Sequence, residues 1–116
     1  VSISATTMST ASGTAAVLFD GAASDSPLSI TAVSRLTAPL TTGIQFTGAA
    51  TNSGVTVADS IVAASLYGIT YPTGPVDGSD VVVERSSIAA GTDWIALPAQ
   101  TNSDIIVKDV VLKAGL

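Results

Sequence analysis

Val55-Thr56-Val57-Ala58-Asp59 is one copy of a short β-type unit that recurs along the chain. Related units follow at a spacing of roughly two dozen residues, a period typical of repeat architectures. The other copies are Val1-Ser2-Ile3-Ser4-Ala5, Leu28-Ser29-Ile30-Thr31-Ala32, Val81-Val82-Val83-Glu84-Arg85 and Ile105-Ile106-Val107-Lys108-Asp109. Each copy is rich in β-branched residues, and most alternate apolar with polar side chains, which predicts a strand. The units therefore predict an all-β protein whose residues mainly serve its architecture.

Two longer matches support the repeat. The pattern Phe-x-Gly-Ala-Ala-(Ser/Thr)-(Asp/Asn)-Ser begins at Phe19 and again at Phe46, and Thr-Asn-Ser-x-(Val/Ile)-x-Val-x-Asp begins at Thr51 and at Thr101. A chain so rich in Ala, Ser, Thr, Val and Ile also produces short matches by chance. Internal duplication and coincidence of composition are therefore both open explanations.

The spacing of the strands suggests two architectures. Short strands at regular intervals, separated by hairpin-type turns such as Asp77-Gly78, favour a β-sandwich or Greek-key barrel of about eight strands. The alternative is a short β-solenoid with units of about 26 residues. In that fold one inner ladder would consist of Val1, Leu28, Val55, Val81 and Ile105. We expect a single domain over residues 1–116, with residues 6–16 forming a flexible arm or a long loop.

The composition restricts the chemistry. The chain has no Cys and no His, so thiol chemistry, disulfides and the commonest general base are unavailable. Asp77-Gly78-Ser79-Asp80 resembles a calcium loop but lacks its alternating oxygen ligands, and a hairpin turn explains it equally well. Paired carboxylates such as Asp59 and Asp109 fall at matched positions of the repeat, which indicates solvated strand ends. We therefore expect no enzyme activity, no cofactor and no metal site.

Charge is scarce and the balance is acidic. Charged residues make up 11% of the chain and the net charge is −5, so no basic face is available for nucleic acid. The uncharged stretch 36–58 has the length of a membrane span, but Pro39, Gln45, Asn52 and several threonines make it too polar. We expect neither a nucleic-acid nor a membrane partner. A surface with so few charges instead indicates that much of the outside contacts other protein.

Several residues are candidates for such contacts. Val81-Val82-Val83 and Ile105-Ile106-Val107 are apolar on both faces of their strands and need cover from two sides. Trp and Tyr often anchor interfaces when they are partly exposed, although Trp94 could equally cap the core. The candidate interface residues are Trp94, Tyr67, Tyr71, Ile105 and Val107.

In composition and texture the whole chain resembles small bacteriophage virion proteins of the head-decoration or cement type. The resemblance rests on a composition rich in Ala, Thr, Ser, Gly and Val and on stretches such as Thr42-Gly43-Ile44-Gln45-Phe46-Thr47-Gly48. It implies a non-enzymatic structural protein of a viral particle that stabilises or decorates the capsid through symmetric contacts. The implied partners are other copies of the chain and a major capsid protein or another particle component, and the implied location is the virion.

A second resemblance supplies the alternative. Asn52-Ser53-Gly54-Val55-Thr56-Val57-Ala58-Asp59 is similar to the strand-turn text of Ig-like repeats in bacterial and archaeal surface proteins. It implies a pilus or surface-filament subunit with an Ig-like β-sandwich, located outside the cell or at its surface.

Overall fold

The computed structural model describes residues 1–9, 13–31, 35–38, 41–71, 75–98 and 100–114. In these residues every strand pairs in parallel with strands that lie one coil away along the chain, and the strands form four sheets, which we call A to D. The chain passes from sheet A through B, C and D and then returns to A, making about four turns. The fold is therefore a parallel β-solenoid.

The strands are short. Sheet A contains β1 (Ser2–Ser4), β5 (Leu28–Thr31), β9 (Val55–Ala58), β13 (Val81–Glu84) and β17 (Ile105–Lys108). Sheet B contains β2 (Thr7–Ser9), β6 (Arg35–Ala38), β10 (Ile61–Ala64), β14 (Ser87–Ala90) and β18 (Val111–Ala114). Sheet C contains β3 (Ala15–Phe19), β7 (Thr42–Phe46), β11 (Tyr67–Thr70) and β15 (Asp93–Ala96). Sheet D contains β4 (Ala23–Ser24), β8 (Ala50–Thr51), β12 (Val76–Asp77) and β16 (Gln100–Thr101).

The sandwich or Greek-key barrel that the sequence favours is wrong, and the alternative, a short β-solenoid, is confirmed. Strands of both folds recur at regular intervals, but here Leu28 pairs with Val55, and Val81 pairs with Ile105. The pairing offset is 27 residues in the first case and 24 in the second, so the partner of a strand is never its neighbour in the chain. The expected number of about eight strands is also wrong, because each coil bends into up to four short strands.

Left-handed backbone recurs in successive coils at two corners, between sheets D and A and between sheets A and B. Between sheets D and A the left-handed residues are Asp25, Asn52, Gly78 and Asn102, with φ between 48° and 58°. Gly, Asn and Asp adopt this conformation at the least cost, which explains the residue types. Asp77-Gly78 is therefore not the hairpin turn that the sequence predicts, because Gly78 turns the chain from sheet D into sheet A.

A ladder of serines follows the first of these corners. The backbone N–H of Ser53 donates to Oγ of Ser79, and the N–H of Ser79 donates to Oγ of Ser103, each over 2.9 Å. The same contact links Ser26 to Ser53. Each hydroxyl in turn donates to the carbonyl oxygen two residues earlier in its own coil. The ladder satisfies polar groups that the corner buries and joins successive coils in register.

The core consists of stacked apolar side chains. Leu28, Val55 and Val81 form one inner column of sheet A, as the solenoid alternative predicts. In sheets C and D the matched patterns that begin at Phe19 and Phe46 lie in neighbouring coils at equivalent positions. Their rings stack with centroids 4.4 Å apart, and Tyr71 continues the stack at 4.3 Å. These columns fill the interior over the length of the solenoid.

Residues 6–16, for which the sequence predicts a flexible arm or a long loop, include β2 and the first residues of β3. Residues 10–12 of this segment, like Ala32 of the second repeat unit, lie outside the described residues. None of the described segments forms a helix with the length and apolarity that crossing a membrane requires.

Replacing Ser79 by Ala tests the ladder. The variant removes the acceptor of the Ser53 N–H and the donor to the Asp77 carbonyl, both in a buried corner. We expect a loss of about 1–3 kcal/mol in the free energy of unfolding, measured by denaturant titration. Ser29→Ala on the outer face of β5 is the control and should change stability by less than about 0.5 kcal/mol. Equal stability of the two variants would contradict the role of the ladder.

Candidate interaction surface

The carboxylates are spread over corners and strands of the coil, and two of them, Asp59 and Glu84, meet at the side chain of Arg85. Asp59 and Asp109 occupy the same corner between sheets A and B, two coils apart, and both have left-handed backbone. Oδ1 of Asp25 accepts a hydrogen bond from Nδ2 of Asn52 at 3.0 Å, and Oδ1 of Asp20 accepts one from the Thr47 hydroxyl at 3.1 Å. Among the described residues no group of three or more acidic side chains could hold a metal ion.

One ion pair joins two coils at the corner between sheets A and B. Nε of Arg85 donates to Oδ1 of Asp59 at 2.8 Å, and Nη2 donates to Oδ2 at 3.1 Å. Nη1 of Arg85 also donates to Glu84 at 3.0 Å. The hydrogen bonds from Arg85 hold the pKa of Asp59 below its ordinary value. The pair is exposed to solvent, so it organises the corner without contributing much to stability.

The Asp59 carboxyl should report this pair. Because its folded-state pKa is lowered, any stabilisation from the pair is present above the ordinary value of 3.8 and is lost as the pH falls through the lower folded-state value. NMR titration of the Asp59 carboxyl should give a midpoint below 3.8 in the wild type and a higher midpoint in Arg85→Met. The control Arg35→Met should leave the midpoint of Asp59 unchanged. Identical midpoints in the wild type and Arg85→Met would refute the pairing in solution.

The last described coil is apolar on its inner side, and no described residue lies above it. Ile105 and Val107 of β17 continue the inner columns of sheet A, and Leu112 of β18 continues that of sheet B. Their equivalents in the preceding coil, among them Val81 and Ile88, are fully buried. Ile105 and Val107 are instead 44% and 46% exposed. We call the surface formed by Trp94, Ile105, Val107 and Leu112 the open end.

Trp94 stands where the two preceding coils have glycine. Gly43 and Gly68 occupy the equivalent positions in sheet C, where an added Cβ would lie 2.6 Å from Val62 and Ile88 respectively. Trp94 belongs to the last described strand of sheet C, where its indole Nε1 donates to the carbonyl oxygen of Lys113 at 2.8 Å. The ring therefore partly covers the end of the core while staying 39% exposed.

The outer face of the last coil carries both aliphatic and charged side chains, because Ile106 shares its face with Lys108 and Val111 shares its face with Lys113. Along sheet A the outward column changes from hydroxyl to aliphatic side chains, in the order Ser2, Ser29, Thr56, Val82 and Ile106. In sheet B the outward residue of the last strand is Val111. Ile106 and Val111 are exposed, and we call them the outer pair. This arrangement agrees with the two-sided apolar character of residues 105–107 in the sequence.

The structure brings together three of the five candidate interface residues. Trp94, Ile105 and Val107 line one groove of about 250 Å³ at the open end. Tyr67 is half-buried beside a separate groove of about 610 Å³ along sheet C. Tyr71 is fully buried in the aromatic stack, where its hydroxyl donates to the Ser53 carbonyl, and burial raises its pKa. Tyr71 therefore belongs to the core.

Leu112 and Val111 were missed by reasoning from the sequence. The signal was present as the run Val110-Val111-Leu112, which directly follows the last repeat unit. The faces of these residues could not be assigned without the corner at Asp109, because a second strand of the same coil starts after it. In that strand the alternation between inner and outer side chains begins again.

Comparison with known protein families, curated proteins and solved structures finds no match to this chain.

Proposed function

We propose that this chain is a non-enzymatic structural protein that binds other subunits of a particle through its last coil. The observation that carries the proposal is the outer pair. Ile106 and Val111 point away from the core and are exposed to solvent, although both side chains are aliphatic. The earlier coils place Ser29 and Thr56 in the column that ends at Ile106. Exposed aliphatic side chains on the outer face of two adjacent strands are typical of a contact with another protein.

The free energy gained by burying these aliphatic side chains limits how tightly this coil alone can bind a partner. Complete burial of an aliphatic side chain is worth about 1.5–3 kcal/mol, so covering the exposed half of each contributes about 1 kcal/mol. The outer pair and the aliphatic residues of the open end together supply about 5 kcal/mol, which is near the lower limit of the cost of association. Binding by this coil therefore needs further contacts or the repetition that a symmetric particle provides.

We propose a viral particle, and specifically the decoration or stabilisation of a capsid, as the setting. The support comes from the textural resemblance to phage head-decoration proteins and from the scarcity of charge. The partners would be a major capsid protein and other copies of this chain, and the location would be the virion. Neither nucleic acid nor a membrane is part of the proposal.

A cell-surface or extracellular filament is the second proposal. The Ig-like β-sandwich that accompanied the pilus alternative is wrong, since the fold is a solenoid. The observation that favours a filament is that, among the described residues, β1 and β17 each have one edge with no paired strand. Such edges can pair with strands of further subunits.

Fractionation tests the setting. Virus particles and surface filaments from the organism that makes the chain would be purified, and the chain quantified in each by mass spectrometry. We expect a fixed number of copies per capsid protein in the virus fraction. Recovery only in the filament fraction would support the second proposal, and absence from both would overturn both.

Variants of the outer pair test the contact itself. We expect Ile106→Ser combined with Val111→Ser to weaken binding to the particle by roughly thirtyfold, the effect of losing about 2 kcal/mol, and therefore to lower the copies per particle. Leu18→Ser is a matched control, because Leu18 and Ile106 are each 45% exposed and Leu18 lies at the other end of the solenoid, in β3. Unchanged copy number in the double variant would contradict the proposed surface.

A further inference from the structure

The groove of about 610 Å³ along sheet C lies on the outer face of that sheet, away from the outer pair. Gln45, Thr70 and Ala96 pair with one another in successive coils and form one column of its lining. They alternate along their strands with residues of the core, so they face outward. Tyr67 and Asp93, which also pair, form a second column. The volume is typical of small-molecule sites, which span about 300–1,000 Å³.

The groove is a concave feature of the coil and is already formed without a ligand. Thr70 faces outward but is only 5% exposed, because it lies at the bottom of the groove. Thr41 and Leu66 line the side that precedes the strands, and the N–H of Leu66 donates to the Thr41 carbonyl at 3.1 Å. The N–H of Thr92 donates to the Leu66 carbonyl at 2.8 Å. These bonds between coils fix the shape of the site, which lowers the entropic cost of binding.

The lining side chains are polar but nearly uncharged. Threonine hydroxyls, the Gln45 amide and the Tyr67 phenol alternate with the aliphatic side chains of Leu66 and Leu97. Among the described residues of the lining, Asp93 carries the single charge, and it is negative. Phosphates and other anions are therefore repelled. Neutral donors and acceptors beside apolar carbon suit a neutral ligand that has many hydroxyl groups and also C–H faces.

One polar atom at the groove has no partner within the protein. Oγ1 of Thr41 is buried and accepts or donates no hydrogen bond among the described residues. A buried hydroxyl in that state costs about 1–3 kcal/mol, so it calls for a specific explanation. Thr41 lines the groove, where a hydroxyl of a bound molecule could supply the missing hydrogen bond.

We propose that the groove on sheet C binds a short stretch of a neutral oligosaccharide. The groove crosses β7, β11 and β15, and three strands of a sheet span about 10 Å. The Asp93 carboxylate and the Gln45 amide would bond to sugar hydroxyls, and the Tyr67 ring would contact a C–H face. The site uses sheet C and not the outer pair, so this inference does not depend on the proposed function.

A basic peptide is the competing occupant, because Asp93 would attract it. An exposed carboxylate paired with a single cation contributes little in water. Asp93 is exposed, and the described lining has no second acid beside it. The observations therefore favour the saccharide, and the peptide becomes an outcome of the test.

Calorimetric titration of the 116-residue chain tests the inference. The probes are cellohexaose, maltohexaose and hexa-N-acetylchitohexaose, with pentalysine as the competing ligand. We expect at least one saccharide to bind with a Kd below about 1 mM, and pentalysine not to bind in that range. Absence of binding by all three saccharides would overturn the inference, and so would binding of pentalysine alone.

Amide chemical shifts locate the site. Addition of the saccharide that binds should perturb residues of β7, β11 and β15, with the largest changes near Gln45, Thr70 and Asp93. Shifts confined to sheets A and B would place the ligand elsewhere and overturn the assignment of the groove.

A matched pair of acidic variants tests the polar contacts. Asp93→Ala should weaken saccharide binding by roughly tenfold, because it removes a charged hydrogen-bond acceptor. Asp104→Ala removes the same charge from an exposed residue outside the groove and should leave the affinity unchanged. Circular dichroism would verify that both variants keep the β-type spectrum. Equal affinities of Asp93→Ala and Asp104→Ala would contradict the proposed contacts.

Thr41→Val separates a binding role of this hydroxyl from a structural one. The variant keeps the shape of the side chain and removes an oxygen that has no partner among the described residues. The free energy of unfolding of the unliganded chain should therefore stay the same or rise, whereas saccharide affinity should fall by roughly fivefold. A less stable variant, or one with wild-type affinity, would overturn the role given to Thr41.

Discussion

A serine hydroxyl shared between two coils is the interaction on which the rest of the structure depends. The left-handed corner between sheets D and A turns the backbone inward and buries both a carbonyl oxygen and the next N–H group, which would cost about 1–3 kcal/mol each if unpaired. At Ser53 and Ser79 the hydroxyl donates to the carbonyl of its own coil and accepts the N–H of the coil before it. The bonds that satisfy the buried polar groups of the corner therefore also fix the register between successive coils.

Register then determines the packing of the core and the character of the surface. Once Ser53 lies beside Ser79, Val55 must lie on Val81, and the apolar columns follow. Within the described stack an inner side chain is covered by the next coil, so the last described coil exposes side chains whose equivalents in the preceding coil are interior. Ile105 and Val107 are exposed for this geometric reason, whereas Ile106 is exposed because its side chain replaces a polar one on the outer face.

The strands and their faces could be predicted from the sequence. The correct architecture, a β-solenoid, was only the less favoured of the two predicted folds. Alternation identifies inward residues such as Val55 and Val57 in any β fold, so it cannot distinguish a sandwich from a solenoid. The distinction depended on Asn52 and Gly78, which look like hairpin residues but take up left-handed corners in successive coils. Trp94 and Ile105 could be chosen as interface candidates from residue type. Tyr71 could not be assigned correctly, because only the register shows that it stacks on Phe46.

The most direct test of this account is the measurement of nuclear Overhauser effects between the amide proton of one ladder serine and the β protons of the next. The account predicts contacts from Ser26 to Ser53, from Ser53 to Ser79 and from Ser79 to Ser103, together with parallel contacts between Thr56 and Val82. Antiparallel contacts between strands adjacent in the chain, such as Val57 with Val62, in place of the serine contacts would contradict it.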